Sequence, residues 1–253
     1  MDRKIDLNSD VGERPEAIAD GSEEKLISLI TSANIACGGH AGDLSSINEM
    51  IRLCKKYKIN IGAHPSYPDR ENFGRIKMNS THDEISDFVF KQVMQLVKLS
   101  KEFGLNVKHV KPHGALYNSA AKDGLLAKAI AEGVRKVNPE LILVGLAGSV
   151  MLNVWKEEGF KVVGEAFADR RYEADGSLRP RKYPDALITD PFEAANQAIT
   201  IARNGKIKTL SGEEIKIDAQ TICIHSDTEN SLLTAKEINK TFRKEGISIS
   251  PII

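Results

Sequence analysis

The sequence lacks most of what marks a secreted, membrane-bound or nucleic-acid-binding protein. Its three cysteines, Cys37, Cys54 and Cys223, are an odd number with no C-x-x-C pair. That argues against a disulfide framework or a structural zinc site and fits reduced thiols. Net charge is also missing: 35 basic and 35 acidic side chains cancel, which leaves no cationic footprint for nucleic acid. The longest nearly apolar run, residues 141–152, is too short to span a bilayer, and the opening MDRKIDLNSDVGE has no apolar signal region. Neither G-x-x-x-x-G-K-S/T nor a strand-linked G-x-G-x-x-G occurs, so any nucleotide has to be bound without those cradles. The expectation is a cytoplasmic protein that works on a small molecule or with another protein, with no membrane or nucleic-acid partner; a homo-oligomer is left open.

What is present is a regular alternation of β-rich runs and helical periodicity. The 253 residues suit one barrel-sized domain over 1–253 without a linker. Strands are predicted at 4–8, 32–36, 59–63, 107–112, 141–146, 161–167 and 221–225. These are about seven βα units, the pattern of a parallel barrel in the α/β class. A charged hairpin insertion is predicted near 206–218, turning at Ser211-Gly212. Helix starts are marked by Ser22, by Asp43 before Leu44, by a Thr81/Glu84 capping box, and by Asp190 followed by Pro191. One helix is expected from about Ala120 to just before Pro139, and Leu44, Ile47, Ile51, Cys54 and Tyr57 form the expected apolar stripe of another. Two loops are long for a compact domain, HPSYPDRENFGR from His64 and the stretch rich in Arg and Lys after Phe167. Loops of that length usually bind or cover something.

The stretch NIACGGHAGD at 34–43 packs a strand end, a glycine turn, His40 and a helix start into ten residues. Gly38, Gly39 and Gly42 are expected to take positive φ there. Because side chains of a strand alternate, Asp6, Asn8 and Asp10 share one face, as do His109, Lys111 and His113, and Cys223, His225 and Asp227. An ordinary parallel barrel turns branched apolar residues inward; here several strands offer a polar face to the interior. Four of the six histidines, His40, His64, His113 and His225, fall at predicted strand C-termini, joined by Asp10 and Glu165. That is the end where α/β barrels carry their chemistry. A single such histidine is as readily a structural hydrogen-bonder as a catalyst, but four at equivalent ends form a joint pattern. Lys111 reads as an anion binder or a snorkelling lysine. Each loop arginine taken alone reads as solvated charge, His82 and His109 as structural, and Cys37 as a buried thiol.

The segments DLNSDVGE (6–13), NIACGGHAGD (34–43), GAHPSYPD (62–69) with FGR (73–75), VKPHGALYN (110–118) and EAFADRRY (165–172) recur in order. Together they resemble the 5-oxoprolinase A-subunit family, also called LamB/YcsF, over essentially the whole chain. LRPR (178–181) and CIHSD (223–227) look like slightly altered forms of family segments. The resemblance implies a (β/α)7 barrel related to the glycoside hydrolase/deacetylase superfamily. It also implies ATP-dependent opening of the lactam 5-oxo-L-proline to L-glutamate, in complex with subunits B and C, with ATP and Mg2+ as the expected cofactors. Placement then suggests Asp10, His40, His64, His113 and Glu165 for catalysis, with Asp10 and Glu165 as carboxylates for Mg2+. Asn8, Lys111, Tyr117, Arg70, Arg75, Asp169, Arg170, Arg181 and His225 are expected to hold substrate or phosphate. The alternatives are a divalent-metal amidase or deacetylase with Asp10, His64 and His113 as ligands, and a substrate-binding subunit that is inactive alone.

Overall fold

The structure, a computed structural model, describes residues 4–251. Strands β1 (Lys4–Val11), β2 (Ser32–Ala36), β3 (Asn60–His64), β4 (Val107–Val110), β5 (Ile142–Leu146) and β6 (Val162–Phe167) run parallel, each paired with the next. Strands β7 (Lys206–Lys208) and β8 (Glu214–Lys216) form a separate antiparallel hairpin. Strand β9 (Thr221–Cys223) then pairs with both β6 and β1 and closes a seven-stranded barrel. A short β10 (Ser248–Ile249) adds to the first two residues of β1. The fold is therefore the (β/α)7 barrel of the α/β class that the spacing suggested.

Helices α1 (Pro15–Ala19), α2 (Ser22–Ile27), α3 (Leu44–Tyr57), α4 (His82–Glu102), α5 (Gly114–Ala120), α6 (Gly124–Arg135), α7 (Val150–Glu157), α8 (Pro191–Asn204) and α9 (Ser231–Lys244) surround it. The capping chemistry largely acts as expected. Asp43 and Ser46 cap each other at α3, Thr81 and Glu84 do so at α4, and Asp190 accepts from the Glu193 amide at α8. Four local expectations are corrected. Ser22 is the first residue of α2, and the Asp20 carboxylate, not the serine hydroxyl, receives its amide. The helix expected from about Ala120 starts later, as α6 at Gly124, where Asp123 accepts from the Leu125 and Leu126 amides, and a separate helix α5, not expected, starts directly after His113. Leu44 is exposed, and Met50 and Leu53 help fill the buried face of α3 in its place. Gly38 and Gly42 have positive φ but Gly39 does not; Gly39 is small because a Cβ there would meet Gln92 Oε1 and Ser66 Oγ at 2.5 Å.

Alternation along the strands separates two interiors. Ile5, Leu7, Ile35, Ala63, Val110 and Leu143 join the apolar core that includes the helices. The opposite faces fill the barrel with polar side chains that satisfy one another. Asp6 accepts from Thr31, Ser32 and Thr221. Asn8 Nδ2 donates to Glu165 Oε1 and Thr221 Oγ1, and Asn34 Nδ2 donates to Asn8 Oδ1 and Asp10 Oδ1. His109 Nε2 donates to Asn34 Oδ1 at 2.8 Å, and its ring occupies the space left by Gly62, where a Cβ would lie 2.0 Å from Nε2. Burial, aided by the Lys111 charge, pushes His109 down to about 3, so it is a neutral donor. The structural reading of His109 holds, and so does that of His82, which pairs with Glu132 on the surface. Buried polar groups without partners cost about 1–3 kcal/mol each, so this network is a condition for a polar barrel to fold at all.

Candidate active site

At the top of the network the polar column becomes charged. Lys111 follows β4, and its amide continues the ladder by donating to Ala63 O. Its Nζ lies 2.9 Å from Asp10 Oδ1, 2.9 Å from Glu165 Oε1 and 3.1 Å from Cys223 Sγ. Tyr117 Oη donates to the other oxygen of Glu165 at 2.9 Å. Burial alone would deprotonate Lys111, but the Asp10 and Glu165 carboxylates hold it well above its ordinary value. Asp10 is held low in return: desolvation is outweighed by the charges of His64 and Lys111. Burial, with Glu165 opposite, raises Tyr117 so that it stays a donor.

Beside this cluster stand three imidazoles and one further carboxylate. Gly12, with φ +77°, turns the chain out of β1 and delivers Glu13. Glu13 Oε1 lies 2.8 Å from His40 Nε2, 3.3 Å from His113 Nδ1 and 3.7 Å from His64 Nε2. His64 Nε2 is also 3.3 Å from Asp10 Oδ2. The His40 and His113 rings stack in parallel, 3.6 Å between centroids, and His64 stands edge-on to both. Desolvation and the neighbouring His113 push His40 down to about 3, and burial also lowers His113. For His64 burial acts the same way, but the Asp10 carboxylate prevails and raises it. Glu13 is held low: the neighbouring His113 and His40 outweigh its desolvation.

A cavity of about 430 Å³ opens over these groups, reaching Asp10, His64, Lys111 and His113. Its rim is cationic. Arg75, from the loop after β3, and Arg181, from the loop after β6, both pair with Asp227; Arg181 does so at 3.3 Å. Arg170 is buried and also lines the cavity, its Nη2 donating to Arg179 O at 2.6 Å while its Nε has no partner among the described residues. His225 stacks on Phe167, and Asp169 orients it, accepting from both its Nδ1 and its backbone amide. The His225 charge holds Asp169 down to about 2 against the cost of its burial. The loop after β6 is ordered rather than featureless, with short bridges Arg170↔Leu187 and Tyr172↔Leu178 and a buried Tyr172 whose Oη accepts from the Phe167 amide.

Asp10, His40, His64, His113 and Glu165, distant in sequence, thus meet in one place, with Asn8, Lys111, Tyr117, Asp169, Arg170 and His225 around them. Arg75 and Arg181 reach the same cavity. Arg70 does not: it is exposed and donates to Gly38 O and Gly42 O, pinning the turn that carries His40. Asp10 and Glu165 do not form a vacant pair for Mg2+, because the Lys111 ammonium bridges them. Cys37 is a buried thiol that burial pushes up to about 12, unsuited to nucleophilic attack. Sequence reasoning missed Glu13, Asn34 and Asp227. Strand parity places Glu13 on the wrong face, and the signal that could have found it is Gly12, a residue able to turn left-handed at a strand end directly before an acid.

The model of the LamB/YcsF family matches residues 5–253. This chain belongs to the LamB/YcsF family. The 5-oxoprolinase A subunit of Shouchella clausii is 45% identical over 245 residues, covering 97% of both chains. The crystal structure of the lactam utilization protein from Thermus thermophilus superposes with a TM-score of 0.90 at 40% identity, over 98% of this chain and 99% of that one. A family 4 carbohydrate esterase from Streptomyces lividans shares the fold alone, with a TM-score of 0.52 and 14% identity over 99% of this chain and 93% of that one. Family membership accounts for motifs spread from β1 to the turn after β9. Among the described residues, no helix is long and apolar enough to cross a membrane.

Proposed function

We propose that this LamB/YcsF chain is the A subunit of a cytoplasmic 5-oxoprolinase, which opens 5-oxo-L-proline to L-glutamate with hydrolysis of ATP, in complex with subunits B and C. One observation carries the reading. A cavity sized for a small molecule has arginines at its rim and a buried carboxylate, imidazole and ammonium assembly at its floor. A lactam is an unactivated amide; phosphoryl transfer from ATP to its oxygen activates the carbonyl carbon, so that water adds, the C–N bond breaks to leave an acyl phosphate, and a second water hydrolyses that to glutamate and phosphate. Both reactants are anions, which the rim suits: Arg75 and Arg181 can exchange Asp227 for a carboxylate or phosphate, and buried Arg170 has a free donor.

At the floor, His113 and His64 face the cavity with Glu13 behind them. They are placed to position the attacking water beside the carbonyl carbon. Lys111, already paired twice, fixes Asp10 and Glu165 rather than gripping phosphate. Those two carboxylates do not fit Mg2+, and no step here requires them to hold it.

The test is ADP and glutamate formation from 5-oxo-L-proline and ATP, measured on the chain alone and with subunits B and C. Substrate-dependent ADP release in the complete complex supports the reading. An N-acyl hydrolysis by the isolated chain that ignores ATP and stops with chelator would replace it with the amidase alternative. A complex that turns over equally well without this chain would remove the reading altogether.

A further inference from the structure

The His64 and His113 rings contain a contact that their own hydrogen bonds make incompatible with two neutral imidazoles. His64 Nδ1 lies 2.7 Å from Lys111 O, and His113 Nε2 lies 3.0 Å from Phe73 O. A carbonyl oxygen only accepts, so both of these nitrogens carry their proton. The remaining nitrogens, His64 Nε2 and His113 Nδ1, then present bare lone pairs to each other across 3.0 Å. Glu13 Oε1 brings further lone pairs, 3.3 Å from His113 Nδ1 and 3.7 Å from His64 Nε2. Three electron-rich atoms converging in a buried site need a positive charge among them.

We propose that Glu13, His64 and His113 form a binding site for a divalent transition-metal ion of the Zn2+ class. The dimensions agree. Bonds of about 2.0–2.2 Å at tetrahedral angles place donor atoms about 3.3–3.6 Å apart, and the triangle here has edges of 3.0, 3.3 and 3.7 Å. The donor chemistry also agrees, since two imidazoles and one carboxylate suit Zn2+ and its neighbours better than Ca2+ or Mg2+. The backbone carbonyls of Lys111 and Phe73 fix the two rings in the tautomer a metal requires. His40 completes the support. Its buried Nδ1 has no partner among the described residues, so its single proton sits on Nε2 and is donated to Glu13 at 2.8 Å, steadying the carboxylate while the ring lies flat on His113. His64 and His113 line the 430 Å³ cavity, whereas Glu13 and His40 line a second depression. An ion held between them faces the cavity, where Lewis-acid activation of an amide carbonyl or water is available.

This inference does not depend on the ATP-driven reaction, and it is read by binding. Untagged chain is stripped with chelator and titrated with Zn2+ by calorimetry, then with Co2+ while visible absorption is followed. One ion per chain, with the intense Co2+ bands of a four-coordinate site, is the expected result. Glu13→Gln and His113→Gln should each weaken Zn2+ by at least about a hundredfold, while His82→Gln, on the surface, should leave it unchanged; circular dichroism verifies that each variant is folded. Wild-type chain that binds no Zn2+ stoichiometrically, or binding that both variants leave intact, overturns the proposal. So does a nitrogen NMR spectrum in which His64 keeps protons on both ring nitrogens at saturating Zn2+, because a proton would then hold the position assigned to the metal.

Discussion

Lys111 and Asp10 form a 2.9 Å ion pair in which both side chains are buried, and the same ammonium reaches Glu165 at an equal distance. A single cation therefore neutralises part of a charge density that the barrel could not otherwise enclose. Removing it leaves two carboxylates facing each other out of water.

Lys111→Met should accordingly destabilise the fold by about 3–5 kcal/mol. The measurement is urea unfolding at neutral pH, compared with the wild type. A loss below about 1 kcal/mol would mean that solvent or a relaxed backbone screens Asp10 and Glu165 far more than their burial implies.

Glu23 supplies a pH signature. Its Oε1 accepts from the Gly12 amide at 2.7 Å, its Oε2 has no partner among the described residues, and burial pushes it up to about 7 from 4.5. Between those values the folded chain holds a proton that the unfolded chain releases, so this group's contribution is complete below pH 4.5 and is lost as pH rises through 7. Glu23→Gln should therefore gain stability relative to wild type between pH 5 and pH 8, by on the order of 2 kcal/mol given about 1.4 kcal/mol per pKa unit. Parallel stability curves for the two proteins across that range would refute the assignment.

Gly62 and His109 test the barrel interior. A Cβ at Gly62 would lie 2.0 Å from His109 Nε2, and that nitrogen is committed to Asn34. Gly62→Ala should cost more than about 1–3 kcal/mol, the usual range for overpacking, and lower the thermal midpoint. Gly124→Ala, at the start of α6 where a Cβ would meet Val154 only at an ordinary 3.4 Å, controls for the loss of glycine itself. The idea fails if Gly62→Ala melts with the wild type.

In the assembled enzyme, the floor and rim of the cavity should separate kinetically. His113→Gln should lower turnover at least about a hundredfold through loss of positioning at the reacting carbon. Arg181→Met should instead act mainly on KM, raising it about tenfold or more through loss of a charge-assisted contact. Equal effects on kcat from both variants would contradict the division between rim and floor.

Much of this arrangement was legible before any coordinates. Asp6, Asn8 and Asp10 alternate with Ile5 and Leu7, and that period of two already assigns polar side chains to the inside of the barrel and apolar ones to the helices. Glycine turns and helix caps at Gly38, Gly42, Asp43 and Thr81 mark the strand ends where His40 and His64 fall. The failures have equally local causes. Parity reasoning stops at the first left-handed residue, so Gly12 hid Glu13. Periodicity also placed the start of α6 at about Ala120, ahead of the Asp123 cap that opens it at Gly124.

What the sequence determined by itself was the order of the seven barrel strands and the longer helices and which residues lie near the strand ends, because these follow from side-chain alternation, capping and backbone freedom acting over a few residues. Only the tertiary structure decided which charges meet. Closing seven strands brought Glu13 against three imidazoles, committed Lys111 to Asp10 and Glu165, and sent Arg70 outward while Arg75 and Arg181 came to share Asp227. Ångström-scale electrostatics depends on barrel closure and register between strands more than a hundred residues apart, and no local pattern encodes those distances.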